Sequence, residues 1–431
     1  MPLAETVHGF VGSPDAVRIE AYDGTRAGRP DAPILMRLSS SRALAYLARS
    51  PGELGIARAY VAGDLELEGD MHDALAAMTG TAAEIAKRRL NVTKTLRGLG
   101  SPLVRSALTR APRPEQEVRL RGRRHSRTRD ARAIAHHYDV SNRFYEMVLG
   151  PSMAYTCAVF SREGASLEQA QAEKFDLVCR KLGLKPGMRL LDVGCGWGGM
   201  VMHAAREYGV SALGVTLSRA QAEWASKAIA EAGIADIAEV KHLDYRDAPG
   251  ADYDAISSIG LTEHIGKTQL PAYFATLLAK LRPGGRLLNH AIMRTTTTQP
   301  ARLDRGFINR YVFPDGELHG VGHVISVMQN SGFEIRHEEN LREHYARTLA
   351  GWCANLDANW DAAVAEVGAP TARVWRLYMA GSRLGFEQHR LELHQVLAAR
   401  PDSAGDSAMP LRPDWEPARR RAVESTTRSS K

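Results

Sequence analysis

The chain has 431 residues and an apolar fraction of 44%, which predicts two or three globular domains of about 100–200 residues each. No apolar run approaches the ~20 residues that span a bilayer, no signal peptide is recognisable, and four scattered cysteines without CxxC spacing exclude a disulfide framework and argue against structural zinc. A net charge of +7 fits an anionic partner, either nucleic acid or an acidic membrane surface.

Residues 1–86 are predicted to form a small α/β domain. Strand-like segments at 17–22 and 33–38 are followed by helical segments at 41–48 and 71–78. We interpret this part of the chain as an N-terminal domain that faces lipid, an interpretation that rests on the family resemblance given below.

Residues 87–131 are predicted to be a basic linker. Fifteen lysines and arginines lie between Lys87 and Arg132, and only three acidic residues oppose them. Glycines and prolines interrupt the same stretch, so regular structure is not expected to run through it.

Residues 132–400 are predicted to form a doubly wound, mostly parallel α/β sheet, because strand and helix patterns alternate along them. The expected strands are 189–194, 211–216, 239–244, 253–259 and 286–290, and the expected helices are 199–208, 218–232 and 270–281. Residues 401–431, rich in Pro, Ser and Arg, are predicted to be a disordered basic tail.

The glycine-rich segment Leu191–Gly199 is the strongest motif. Glycines directly after a first strand let the backbone approach a ligand and open a helix behind it. The spacing of Gly194, Gly196 and Gly199 also satisfies the dinucleotide-binding fingerprint of a dehydrogenase. That fingerprint requires a carboxylate about 20 residues further on, and the second strand ends instead in Thr216-Leu217-Ser218.

S-adenosylmethionine fits this pattern better, because it has no pyrophosphate and an acidic residue in the first loop can hold its ammonium group. Asp192, just before the glycines, suits a structural or polar role there. The third strand ends in Asp244-Tyr245-Arg246. The Asp244 carboxylate could accept the adenine amino hydrogen while Tyr245 packs against the ring, although Asp244 could equally start a turn.

The chain resembles the cyclopropane fatty acid synthase family, which includes the mycolic acid methyltransferases. The segments that carry the resemblance are His137–Tyr145, Tyr155–Ala158, Leu191–Gly199, Gly214–Gln221, Ile259–Gly266, Pro283–Gly285, His290–Ile292 and His344–Leu349. Gly55–Leu65 also resembles the longer bacterial members, which carry an extra lipid-facing domain. Within the family the chain is most similar to the actinobacterial branch that makes precursors of 10-methyl stearate (tuberculostearic acid), but Thr262 stands where the family usually has Phe.

The resemblance implies a class I S-adenosylmethionine methyltransferase fold, a Rossmann-like doubly wound sheet, with a small N-terminal α/β domain. It implies cofactor contacts from Tyr155, Thr156, Gly194, Gly196, Thr216, Leu217, Gln221, Tyr245, Arg246 and Ile259, to which we add Asp244.

The implied reaction transfers a methyl group to the cis double bond of an oleoyl-type chain in a membrane phospholipid. The carbocation that results requires a dry site and a base. The resemblance implies that bound bicarbonate is this base, held by the backbone at Cys157 and Ile292 and by the side chains of Glu263, His290 and Tyr345. Loss of a methyl proton after a hydride shift gives a 10-methylene chain, and ring closure gives the alternative product, a cyclopropane.

The basic linker is then expected to hold a cytoplasmic enzyme reversibly on the inner face of the plasma membrane. The sequence leaves open whether a flavin- or nicotinamide-dependent reductase completes the methyl branch and whether the chain forms a homodimer. Nucleic-acid methylation is disfavoured, because the fourth strand lacks the Asn/Asp-Pro-Pro-aromatic motif of amino-directed base methylases. The Glu263, His290 and Tyr345 set argues against a catalytically dead lipid-binding module.

Overall fold

The computed structural model describes residues 2–50, 52–79, 111–118, 122–300 and 306–416. The chain divides into two compact units. The first comprises Met1–Gly150, Pro300–Glu317 and Arg342–Leu391, and the second comprises Pro151–Gln299, Leu318–Leu341 and Glu392–Lys431. None of the helices in the described ranges combines the length and the apolar character that crossing a bilayer requires.

The first unit contains a four-stranded sheet in the order β2-β1-β3-β4. Strands β1 and β3 are parallel, whereas β2 and β4 pair antiparallel with β1 and β3. Its elements are α1 (Leu3–Phe10), β1 (Val17–Ala21), β2 (Arg26–Ala27), β3 (Ile34–Leu38), α2 (Ser41–Arg49), α3 (Glu53–Val61), β4 (Leu65–Glu68), α4 (Met71–Met78), α5 (Arg127–Tyr138), α6 (Asn142–Leu149), α12 (Phe307–Tyr311), α14 (Arg342–Ala358), α15 (Trp360–Val367) and α16 (Ala369–Glu387).

The units do not follow the domain boundaries predicted at 86, 131 and 400. Part of the predicted catalytic domain joins the first unit because α16 packs on α14 and also on α3 and α4. The apolar core of the first unit accordingly extends from the N-terminal strands to Ala380.

Described residues of the predicted linker also belong to this core. The side chain of Glu117 is fully buried and accepts hydrogen bonds from Arg58 at 2.7 Å and from Arg310 at 2.7 Å. The Tyr46 hydroxyl donates to the Pro112 carbonyl. Residues 111–118 are therefore packed rather than a free linker, because a buried carboxylate needs these charged partners. Residues 80–110 and 119–121 lie outside the described ranges.

The second unit contains a seven-stranded sheet in the order β10-β11-β9-β8-β5-β6-β7. Its elements are α7 (Leu167–Leu182), β5 (Arg189–Val193), α8 (Gly199–Tyr208), β6 (Ser211–Thr216), α9 (Arg219–Glu231), β7 (Ala238–His242), a 3₁₀ turn (Tyr245–Asp247), β8 (Tyr253–Ile259), α10 (Thr262–Ile265), α11 (Leu270–Lys280), β9 (Leu281–Met293), α13 (Val321–Asn330), β10 (Glu334–Asn340) and β11 (Glu392–Ala399).

The prediction of a mostly parallel, doubly wound sheet is confirmed. Strands β5 to β9 pair in parallel, and only β11 runs antiparallel, between β9 and β10. One core cluster gathers residues of α7, α8 and α9 on one face, and a second gathers residues of α11 and α13 on the other. Strand order reverses between β5 and β8, and a crevice at such a switch point is where doubly wound sheets bind ligands.

The segment after β11 differs from the predicted disordered tail. Met409 and Trp415 pack against the core of the second unit, and the Arg180 guanidinium donates to the Trp415 carbonyl at 2.6 Å. The apolar side chains at these two positions explain the order. Residues 417–431 lie outside the described ranges.

Candidate active site

The glycine loop follows β5 at the switch point. Gly194 and Gly196 both have positive φ, at 75° and 55°, which favours glycine. A Cβ at Gly194 would meet the Leu261 side chain at 3.3 Å, whereas a Cβ at Gly196 would meet only the Gln221 amide, at 3.9 Å. The loop is therefore closed toward Leu261 and leaves room for a ligand beside Gly196.

The ends of β6 and β7 line the same edge of the sheet. The buried Thr216 hydroxyl donates to Gln221 at 2.8 Å, which fixes one predicted cofactor residue against another. The Asp244 carboxylate accepts from the Arg246 backbone at 3.0 Å and pairs with the Arg246 guanidinium at 2.7 Å. Asp244 thus starts the 3₁₀ turn, and its predicted contact with adenine stays a prediction.

A loop before α7 carries Tyr155, Thr156 and Cys157. Helix α7 holds this loop through two buried polar side chains. Gln171 donates to the Thr156 carbonyl at 3.0 Å, and the Lys174 ammonium donates to the Thr156 hydroxyl at 3.0 Å. Thr156 also faces β8, since a Cβ at Gly260 would meet its methyl group at 3.2 Å.

Two buried ionisable groups lie behind the glycine loop. Burial raises the pKa of Asp192 to about 6, although the Ser257 hydroxyl donates to its carboxylate at 2.6 Å. Burial lowers the pKa of Lys174 to about 7 against the attraction of Asp192 and Cys157. The Ser257 hydroxyl and the charge of Lys174 therefore favour the ionised form of Asp192 against its burial.

Glu263 in α10 is buried beside the end of β9. Its Oε1 accepts the Ile292 N–H at 2.7 Å, and its Oε2 is buried without a partner among the described residues. Burial raises the Glu263 pKa to about 7, although the Ile292 amide opposes the rise. The Ile292 N–H therefore orients Glu263 in this structure, and the predicted contact of the Ile292 backbone with the anion stays a prediction.

His290 lies on β9 directly opposite Ile259 of β8. Its Nδ1 contacts the Gln395 amide at 3.2 Å, and its Nε2 is buried without a partner among the described residues. Burial and the charges of Lys174 and Lys181 hold the His290 pKa well below its ordinary value, so the ring is neutral. Glu263 Oε2 and His290 Nε2 are thus two of several buried polar atoms in the second unit that have no partner among the described residues.

Cys157 is fully buried, and its thiol donates to the Ala158 carbonyl at 3.2 Å. This engagement agrees with a thiol that takes no part in chemistry. Tyr345 belongs to the first unit, where its ring packs against Trp352 and Phe386. Its predicted place in the anion cradle stays a prediction.

The second unit brings together most of the predicted site residues: Thr156, Gly194, Gly196, Thr216, Gln221, Ile259, Glu263, His290 and Ile292. The sequence reasoning missed Gln171, Lys174, Lys181 and Gln395, all buried polar residues. The available signal for the first three was that polar residues interrupt the apolar face of an amphipathic helix.

The strand order, the glycine loop and the buried acid at its base define a class I S-adenosylmethionine-dependent methyltransferase. The chain belongs to the mycolic acid cyclopropane synthetase family, whose model matches residues 125–396. Both the family resemblance and the fold class that the sequence indicates are confirmed.

The relatives extend over nearly the whole chain. A probable fatty acid methyltransferase of Mycobacterium tuberculosis is 53% identical over 97% of this chain and 99% of its own length. A probable fatty acid methyltransferase of Pseudomonas putida is 36% identical over 91% of this chain and 94% of its own.

Solved structures match somewhat less than two thirds of the chain. The cyclopropane synthase MmaA2 of M. tuberculosis superposes with a TM-score of 0.59 at 32% identity, covering 63% of this chain and 98% of MmaA2. Mycolic acid cyclopropane synthase CmaA1, complexed with SAH and CTAB, superposes equally, at 0.59 and 32%, covering 62% of this chain and 97% of CmaA1.

Proposed function

We propose that the chain methylates the cis double bond of oleoyl-type chains in membrane phospholipids and releases a 10-methylene chain, with bound bicarbonate as the base. S-adenosylmethionine, when bound, supplies an electrophilic methyl group on a sulfonium. The observation that carries the proposal is the pair of unsatisfied buried atoms, Glu263 Oε2 and His290 Nε2.

These two atoms suit bicarbonate in particular. Burying a polar atom without a hydrogen bond costs about 1–3 kcal/mol in proteins, so two such atoms in one region favour a ligand that satisfies both. Bicarbonate has a hydroxyl that donates and oxygens that accept. Glu263 Oε2 would accept from the hydroxyl, and His290 Nε2–H would donate to an oxygen. The bound anion would then supply the base for the final proton loss.

The surrounding residues keep the region dry. Cys157, Glu263 and His290 are all less than a tenth exposed. Water would trap the substrate carbocation, so such burial is a requirement of the reaction and supports the proposal.

The proposed product is a 10-methylene chain rather than a cyclopropane. Thr262 stands where the family usually has Phe, and its hydroxyl donates to Asn289 at 2.6 Å. This departure bears on the product rather than on the class of reaction. The fatty acid methyltransferase relatives support the methylene product. The family description favours cyclopropane as the second candidate. A saturated methyl branch would further require a reductase of the flavin or nicotinamide class.

Peripheral binding to the inner face of the plasma membrane is part of the same proposal. Arg123, four residues before α5, and Arg127, its first residue, are exposed in the basic stretch that the sequence predicts to face anionic lipid. The N-terminal residues are proposed to contact the same lipid.

Product analysis tests the reaction. The protein is incubated with dioleoyl phospholipid vesicles, bicarbonate and S-adenosylmethionine carrying a deuterated methyl group. Mass spectrometry should show acyl chains that gain one carbon with two of its three deuterons. Ozonolysis should then remove the labelled carbon and leave a ketone, because of the two candidate products only the exocyclic methylene has a double bond that ozone cleaves. A labelled chain that survives ozonolysis identifies cyclopropane, and the absence of any label in the lipid contradicts the proposal.

A further inference from the structure

A row of cross-strand partners surrounds His290. In the antiparallel registers, Gln395 of β11 pairs with His290 of β9 on one side and with Glu339 of β10 on the other. Side chains of directly opposite residues lie on the same face of a sheet and contact each other. Lys181 of α7 reaches this row from the helix layer, and its ammonium bonds both Glu339 and Gln395.

The ammonium determines which way the Gln395 amide faces. Lysine can only donate, so the atom 2.7 Å from Lys181 Nζ must be the amide oxygen. The amide nitrogen therefore faces His290 Nδ1, 3.2 Å away.

The amide in turn determines the histidine tautomer. An amide nitrogen donates, so Nδ1 must accept, and a neutral imidazole then carries its proton on Nε2. Lys181, Gln395 and His290 are each at most 1% exposed, so water cannot substitute for any of these bonds. His290 Nε2, which has no partner among the described residues, is thereby a donor.

We propose that Lys181 and Gln395 are positioning residues that fix His290 as an Nε2–H donor and so deny it the role of proton acceptor. The identity of what Nε2–H binds rests on the proposed function, in which it is the bicarbonate anion. The proton removed from the substrate then cannot go to His290, which leaves the anion held by Glu263 as the acceptor.

The tautomer can be measured directly in the wild-type protein. Selective ¹⁵N labelling of histidine, with the His290 signals assigned by their loss in His290→Asn, should show a protonated Nε2 and an unprotonated Nδ1. The opposite pattern, or a doubly protonated ring at neutral pH, overturns the proposal. This test needs no substitution of Lys181 or Gln395.

Gln395→Glu tests whether Gln395 fixes the tautomer of His290. The new carboxylate can only accept, so Nδ1 must become protonated whether the ring is neutral or charged, and the ¹⁵N signal of Nδ1 should change accordingly. Lys181 remains paired with a carboxylate, which favours folding. Gln329→Glu, at an exposed position near the end of α13, is the matched control and should leave the His290 signals and the activity unchanged.

Kinetics separate a positioning role from a structural one. At alkaline pH, where the ring of the variant is neutral, Gln395→Glu should raise the bicarbonate concentration for half-maximal rate at least tenfold. Its dissociation constant for S-adenosylmethionine should stay within threefold of wild type. An unchanged bicarbonate dependence in Gln395→Glu overturns the proposed positioning role of Gln395. A wild-type rate independent of bicarbonate instead overturns the proposed function, while the ¹⁵N measurement still decides the tautomer.

Discussion

Replacing Glu263 by Gln should abolish most turnover and at the same time change how stability depends on pH. The amide keeps the oxygen that accepts the Ile292 N–H, so the local structure should be retained. It replaces the unsatisfied Oε2 by an NH₂ group, which cannot accept from a bicarbonate hydroxyl. Positioned groups that take part in proton transfer contribute about 10²–10⁴-fold, and we expect a loss in kcat of that size.

The size of the stability effect follows from the burial of Glu263. In the unfolded chain this carboxyl ionises near its ordinary pKa of 4.5, whereas in the folded protein its pKa is about 7. Its contribution to stability is therefore fully present below pH 4.5 and is lost as pH rises through 7. One pKa unit corresponds to 1.36 kcal/mol. As pH rises, the free energy of unfolding of the wild type should therefore fall by about 3 kcal/mol, whereas that of Glu263→Gln should not fall for this reason.

Urea denaturation at pH 5 and pH 8, together with turnover and calorimetric titration of S-adenosylmethionine, measures both effects. The difference in free energy of unfolding, variant minus wild type, should be about 3 kcal/mol more positive at pH 8 than at pH 5. The affinity of the variant for the cofactor should stay within threefold of wild type. Glu223→Gln, at an exposed position of α9, is the control and should show neither effect. Near-wild-type turnover would remove Glu263 from the mechanism, and parallel stability curves would refute the argument from burial.

Three further outcomes are expected. Lys174→Met removes the donor to the Thr156 hydroxyl and should weaken S-adenosylmethionine binding about tenfold in calorimetry, whereas unchanged affinity would show that this anchor is dispensable. Thr262→Val leaves its buried amide partner unsatisfied and should lower the free energy of unfolding by about 1–3 kcal/mol in urea, and a neutral result would contradict the observed pair. Reversing the charges of Arg123 and Arg127 should reduce cosedimentation with anionic vesicles at least tenfold, since each basic residue near such a surface gains about 1 kcal/mol, and equal sedimentation would argue against membrane binding through α5.

Local patterns were enough to predict the parallel part of the sheet. Strands 211–216 and 253–259 and helices 71–78 and 199–208 begin and end where the sequence indicates. Each has glycine or a capping residue within three positions of both ends, so its signal is local. The glycine loop and the absence of a carboxylate after β6 likewise predict the cofactor from adjacent residues.

What the sequence could not provide depends on strand register. The polar β10, with the sequence Glu-Ile-Arg-His-Glu-Glu-Asn, shows little alternation, and its partner β11 lies more than 50 residues further on. Gln395 acquires its role only because β11 places it opposite His290, 105 residues earlier. The hydrogen bond from the Ile292 amide to Glu263 could not be predicted for a similar reason, because its acceptor lies on a helix 29 residues away in the sequence.

The late position of β11 in the chain has a consequence for synthesis. Strand β9 emerges from the ribosome about a hundred residues before the strand that pairs with its outer edge, so a growing chain carries an open strand edge during that interval. Under the proposal above, the tautomer of His290 is not fixed until Gln395 has been synthesised and β11 has paired with β9. Competence for the proposed reaction should therefore appear abruptly, when the final strand inserts, and nascent chains arrested before residue 392 should depend on chaperones to avoid association through that edge.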